Sequence, residues 1–125
     1  MAVATLAVET CTLHPRLNSD LLITAALAHD LGHTRAFTYA AEILPSDAGR
    51  MLGHLELGLE ILREHAQRTR LSQRSWQPLA HCVLAHHGPR AACGRFFACA
   101  EALALQRIVA LDEGVKRGLE GGPMV

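Results

Sequence analysis

The chain has 125 residues, half of them apolar, 4% aromatic and 19% charged, with twelve basic residues balancing twelve acidic ones. That length accommodates one core and no second folded unit, and the zero net charge excludes a global basic footprint for nucleic acid. Alanine and leucine dominate, strand-like alternation never lasts more than a few residues, and no apolar stretch is long enough to span a bilayer. The expectation is therefore an all-α protein with no membrane segment.

The first predicted helix runs from Ala2 to Leu13 and starts without a cap, which raises the expectation that the start of the chain is truncated or misassigned. An apolar first helix left uncovered on one side also makes a homodimer an expectation. Pro15 breaks the chain, and Asn18-Ser19-Asp20 offers a cap for a second helix from about Leu21 to Leu31, stopped by Gly32. Its Leu22, Ala25, Ala26 and His29 share one face, so His29 points inward. A loop through Thr34–Pro45 follows. Ser46 or Asp47 caps a third helix reaching about Gln67, with Leu52, Leu55, Leu59 and Leu62 as its packing stripe. His54, Gly58 and Ile61 form an adjacent stripe, where the glycine leaves room for a close neighbour or a bound group. Ser75 caps a fourth helix from Trp76 to about His87, with Leu79, Val83 and His86 on one face and Gly88-Pro89 as its stop. A turn-rich segment to Phe97 leads into a last helix from about Cys99 to Gly118, followed by a frayed tail.

The four cysteines, Cys11, Cys82, Cys93 and Cys99, form no C-x-x-C pair and follow no signal peptide. That is the pattern of reduced, mostly buried thiols in a cytoplasmic protein. Arg63, Arg68, Arg70 and Arg74 cluster at one helix end, and Arg90 and Arg95 follow the double histidine; such runs are usually solvated. His14, His65 and His81 read as loop, helix-end and packing or capping residues.

The remaining histidines carry the chemistry. His29 and Asp30 close the second helix, His54 lies within the third, and His86 and His87 close the fourth. Imidazole nitrogen and carboxylate oxygen both ligate divalent ions, so three helices supply five ligand-type side chains. An Asp30 bridging two ions, with histidines to each side, would leave positions open for water, and such ions lower its pKa and clamp phosphate oxygens. His33 is a candidate phosphate contact or a donor to one of the ligands, and Arg50 is either a phosphate anchor, because guanidinium binds phosphate in a bidentate fork, or an exposed helix arginine.

The stretches DLLITAALAHDLGH, AGRMLGHLELGLEI, LAHCVLAHHG and EALALQRIVALD resemble the HD superfamily of metal-dependent phosphohydrolases, and within it the HD domain of the YhaM-type 3′→5′ exoribonucleases. The resemblance covers nearly the whole chain in the right order. It implies an all-α HD-domain helical bundle of about five helices, with 1–125 as a single HD domain lacking the start of the family's first helix. It also implies metal ligation by His29, Asp30, His54, His86 and His87, with Asp30 as the bridging, catalytic carboxylate; the substrate-binding roles of His33 and Arg50 come from the residues alone. The implied activity is hydrolysis of a nucleotide or RNA-like phosphoester by water activated on a divalent metal, which could be manganese, iron, cobalt, nickel or zinc. Three positions depart from the pattern. The family's first histidine ligand falls before Met1, its closing aspartate aligns with Val109 while Asp112 lies one turn on, and the lysine after the HD-motif glycine is His33. The alternative those departures raise is a degenerate, non-catalytic HD scaffold binding metal, nucleotide or a protein partner.

Overall fold

The computed structural model describes residues 2–39, 42–87 and 97–121. Helix α1, Ala2–Leu13, occupies the span expected of it. Helix α2, Ser19–Ala28, begins where the Asn18 side chain accepts the Leu21 N–H at 3.1 Å. Such a cap satisfies one of the donors that a helix start leaves without an internal partner. A one-turn helix α3, His33–Ala36, then precedes strands β1, Phe37–Tyr39, and β2, Ile43–Pro45. Helices α4, Asp47–Arg68, α5, Gln73–Ala85, and α6, Ala100–Leu119, complete the order. Five helices of ten residues or more thus form an all-α bundle among the described residues.

The core sits between α1, α2, α5 and α6. Val3 and Ala7 from α1, Leu22, Ala25 and Ala26 from α2, Leu79 and Cys82 from α5, and Ala102, Leu105, Ile108 and Val109 from α6 form one buried cluster. The small residues Ala7, Ala25, Ala26 and Ala102 let helix axes approach closely, and Leu22 and Leu105 fill the space between. A second cluster of Ala28, Leu62 and Val83, flanked by Leu31 and Trp76, fastens α4 onto α2 and α5. The Asn18 backbone N–H also donates to Glu101 at 3.0 Å, tying the start of α2 to the first turn of α6.

The structure corrects several details. The expected loop 34–45 holds α3 and an antiparallel pair in which Phe37 faces Pro45, Thr38 faces Leu44 and Tyr39 faces Ile43. Strands of three residues are too short to register as alternation. In α4 the stripe holds only in its second half: Leu59 and Leu62 are buried, whereas Leu52 is exposed. Gly53 at φ +79°, ψ 163° breaks the helix there and shifts the phase of everything before it. The cap of α5 is Ser72, which accepts from the Ser75 N–H, so the helix starts at Gln73 rather than Trp76. His81, expected to pack or cap, accepts the Ala98 N–H at 3.0 Å just before α6. Gly88, Pro89, Arg90, Cys93, Arg95 and most of the tail lie outside the described residues. Among those described, no helix is long and apolar enough to cross a membrane.

Candidate metal centre

The site is built on a crossing of two backbones. A Cβ placed on Gly32 would lie 1.6 Å from the His54 carbonyl oxygen and 2.8 Å from the Gly58 nitrogen. Only glycine lets the turn after α2 press against α4 at that distance. The close neighbour anticipated at Gly58 is thus the Gly32 backbone. This contact brings the His33 ring onto the His54 ring, near-parallel at 13° with centroids 4.5 Å apart. The Gly53 kink sets the direction of His54, one residue later.

Asp30 lies at the junction of the histidines. His29 Nε2 is 3.1 Å from one of its carboxylate oxygens, and His33 Nε2 and His86 Nε2 are 3.5 and 4.0 Å from the other. His54 Nε2 and His87 Nε2 face each other at 3.1 Å, and the His86 and His87 rings lie 4.1 Å apart. One ligand atom from each of His54, His86 and His87 falls within 4.8 Å of the others. Imidazole nitrogens sharing one tetrahedral ion at bonds of about 2.0–2.1 Å lie about 3.3 Å from each other, close to the His54–His87 spacing.

Two of the imidazoles are aimed by their own helices. His29 Nδ1 donates to the Ala26 carbonyl at 2.6 Å, and His86 Nδ1 donates to the Val83 carbonyl at 2.5 Å, each three residues back. At His86 the bond fixes the tautomer and leaves Nε2 with a free lone pair, the arrangement that orients metal-binding histidines. His29 Nε2 instead faces the Asp30 carboxylate, to which the protonated ring donates. His86 Nε2 is buried and meets no hydrogen-bond partner among the described residues, although buried polar atoms nearly always have one. A divalent ion is a group that satisfies such a lone pair, and the donor set around it fits one.

Burial holds the His86 imidazole down at about 4, the charges of His87 and His29 adding to the effect, so it is neutral and ready to ligate at neutral pH. His54 is lowered as well, by burial and then by His33 and His87. For His29, burial acts downward, but hydrogen bonds to Asp30 and to the Ala26 carbonyl outweigh it and the net shift is upward. The His29 hydrogen bond, opposed by burial, brings the Asp30 carboxyl down to about 2, so it remains ionised.

All six of the predicted residues His29, Asp30, His33, His54, His86 and His87 therefore meet in one cluster. Arg50 does not join them in any contact among the described residues; it pairs with Asp47, 2.5 Å away, on the exposed first turn of α4. Beside His29 and Asp30 a cleft of about 320 Å³ opens, lined also by Val109, Asp112, Glu113 and Lys116. Val109 is buried in the core, and Asp112 is engaged by Lys116 at 2.9 Å. Residue-type reasoning missed Phe37 and Tyr39. The Phe37 ring stacks on His33 at 5.7 Å, and the Tyr39 hydroxyl donates to the His33 carbonyl at 2.8 Å. Their i, i+2 spacing was the only signal.

Comparison with known proteins places the chain among relatives. Among curated relatives, the 3'-5' exoribonuclease YhaM of Geobacillus sp. (strain WCH70) is 32% identical over 76 residues, 61% of this chain and 24% of that protein. That of Shouchella clausii is 30% identical over 76 residues, with the same coverage of both chains. The Bacillus subtilis (strain 168) protein of the same name is 27% identical over 88 residues, 70% of this chain and 28% of its own. The chain thus spans about a quarter of the length of these relatives. No solved structure matches. The HD domain model matches residues 1–114, and the chain belongs to the HD-domain family.

Proposed function

We propose that residues 1–125 act as a single HD domain that hydrolyses a nucleotide or nucleic-acid phosphoester with the help of a divalent metal ion. The observation that carries this reading is the buried Nε2 of His86, which has no partner among the described residues, with ligand atoms of His54 and His87 within reach of the same ion. Those three histidines would hold the ion, with Asp30 and His29 alongside. Manganese, iron, cobalt, nickel and zinc all suit mixed imidazole and carboxylate donors. An ion held there supplies a Lewis acid for phosphate oxygens and lowers the pKa of water.

The chain's own side chains do the positioning. The Val83 and Ala26 carbonyls hold two imidazoles with Nε2 pointing inward. Asp30, ionised and half-exposed, presents a proton acceptor at the centre of the cluster. His33 faces both Asp30 and solvent, where it is placed to steady a phosphate oxygen. Arg50 would serve the phosphate only on leaving Asp47. The names of the relatives make short RNA a substrate to try, and a cytoplasmic location belongs to the same reading.

The test is turnover of bis-p-nitrophenyl phosphate and of a short RNA by the purified chain with manganese. The expected result is metal-dependent hydrolysis that falls at least about 100-fold in His86→Leu, since losing a ligand costs more than losing a group that only orients one. Turnover no greater than that of the variant rejects the enzyme.

One observation favours a second reading, a non-catalytic HD scaffold. Val109 is a buried core residue where the family pattern has an aspartate, and the nearby Asp112 is engaged by Lys116. On that reading the wild type is silent and Val109→Asp creates activity. A wild type as active as the Val109→Asp chain rules the scaffold out.

A further inference from the structure

A row of rings runs outward from the histidine cluster onto the hairpin. His54 and His33 are stacked at 4.5 Å and 13°, His33 and Phe37 at 5.7 Å and 11°, and Tyr39 closes the row edge-on to Phe37 at 6.5 Å and 63°. The strand register explains why they line up. Residues i and i+2 of a strand share a face, and directly opposed residues of an antiparallel pair share it too. Phe37, Tyr39, Ile43 and Pro45 therefore form one apolar face of the hairpin. The Tyr39 hydroxyl, bonded to the His33 carbonyl, fastens that face beside the cluster. Yet Tyr39 is 60% and Ile43 68% exposed, so the outer end of the row meets water instead of a core.

We propose that Phe37 and Tyr39 form a shelf on which the base of a nucleotide stacks while its phosphate sits at the histidine cluster. The inference rests on the phosphohydrolase reading for the position of the phosphate. The exposed Tyr39 ring at the end of the row offers a π-surface, and stacking on aromatic side chains tolerates every base because each has a π-face. Of the chemical parts of a phosphoester substrate, the base is the one this surface suits; ribose and phosphate gain little from it. The opposite face of the hairpin carries Thr38 and Leu44, so no polar side chain of these strands reads the edge of a base stacked beside Phe37 and Tyr39. The shelf therefore discriminates nucleotides from sugar phosphates and not one base from another, and purines gain more than pyrimidines through their larger ring.

Calorimetric titration of the full chain, in the presence of manganese, with AMP, ribose 5-phosphate and adenosine tests this. AMP is expected to bind at least about fivefold more tightly than ribose 5-phosphate, the lower end of what stacking one base is worth. Tyr39→Ala should erase that difference by weakening AMP alone. Tyr39→Phe, which keeps the ring and loses the hydroxyl bond, should preserve it. Equal affinity of the wild type for AMP and ribose 5-phosphate overturns the shelf. So does a Tyr39→Phe as impaired as Tyr39→Ala, which would make Tyr39 only a fastener of the hairpin. Adenosine binding that depends on the Tyr39 ring, without any binding of ribose 5-phosphate, upholds the shelf and removes the phosphate site instead. Binding of none of the three overturns both.

Discussion

His86 concentrates the conflict between stability and chemistry in this molecule. A fully buried imidazole nitrogen without a partner among the described residues costs the desolvation of that atom with no hydrogen bond in return. Replacing His86 by leucine removes the cost, so His86→Leu should be within about 1 kcal/mol of the metal-free wild type at pH 7, or above it. Its pH response should differ more. The folded value of about 4 lies below the ordinary 6.5, so between those limits the unfolded chain takes up a proton that the folded one refuses. Stability conferred by a neutral His86 is present above about 6.5 and lost as pH falls toward 4. His54, also lowered, acts in the same sense. His29, raised, acts oppositely: its contribution is full below 6.5 and disappears as pH rises through its folded value. Urea unfolding of metal-free protein at pH 6.5 and 4.5 should show the wild type losing roughly 2 kcal/mol more than His86→Leu. Equal losses would contradict the burial argument.

At the scale of elements, two glycines of α4 and its neighbouring turn place the site. Gly32 allows contact and Gly53 allows direction. Gly32→Ala would drive a methyl group into the His54 carbonyl, so the turn must move, at a cost of about 1–3 kcal/mol for overpacking and with loss of the His33–His54 stack. Gly53→Ala meets nothing within 4 Å; its cost, of the order of 1–3 kcal/mol, comes from a backbone conformation that only glycine adopts readily. Thermal unfolding and the imidazole resonances of His33 and His54 check both. Unchanged ring shifts in Gly32→Ala would deny the crossing its role. The limits of inference from sequence lie at this same scale. The span of α1 and the inward face of α2 were legible because helical periodicity and the Asn18 cap are local signals. The kink was not, since a glycine in a helical pattern marks neither a break nor its absence. Nor was the hairpin, whose two strands are three residues each. For Arg50 the sequence offered a phosphate anchor or an exposed helix arginine, and the Asp47 pair on the exposed first turn of α4 favours the second.

Across the whole molecule, the histidine set was legible because its residue types are costly to bury and recur at helix ends. The meeting of those ends was not, since it depends on how α2, α4 and α5 pack. Their packing runs through the cluster of Ala28, Leu62 and Val83, which lies in sequence next to His29 and three residues before His86. Apolar contacts thus set the distance at which the imidazoles face each other. On the proposed reading, a preformed site of this kind would bind an ion without folding around it, and the ion would then stabilise the native state by mass action. The direct measurement is elemental analysis of the purified chain, paired with thermal unfolding before and after chelation. The account predicts about one or more divalent ions per chain, a melting temperature lowered by chelation and restored by manganese or zinc, and neither effect in His86→Leu. A wild type that holds no ion, with a melting temperature indifferent to chelator and to both metals, would contradict it.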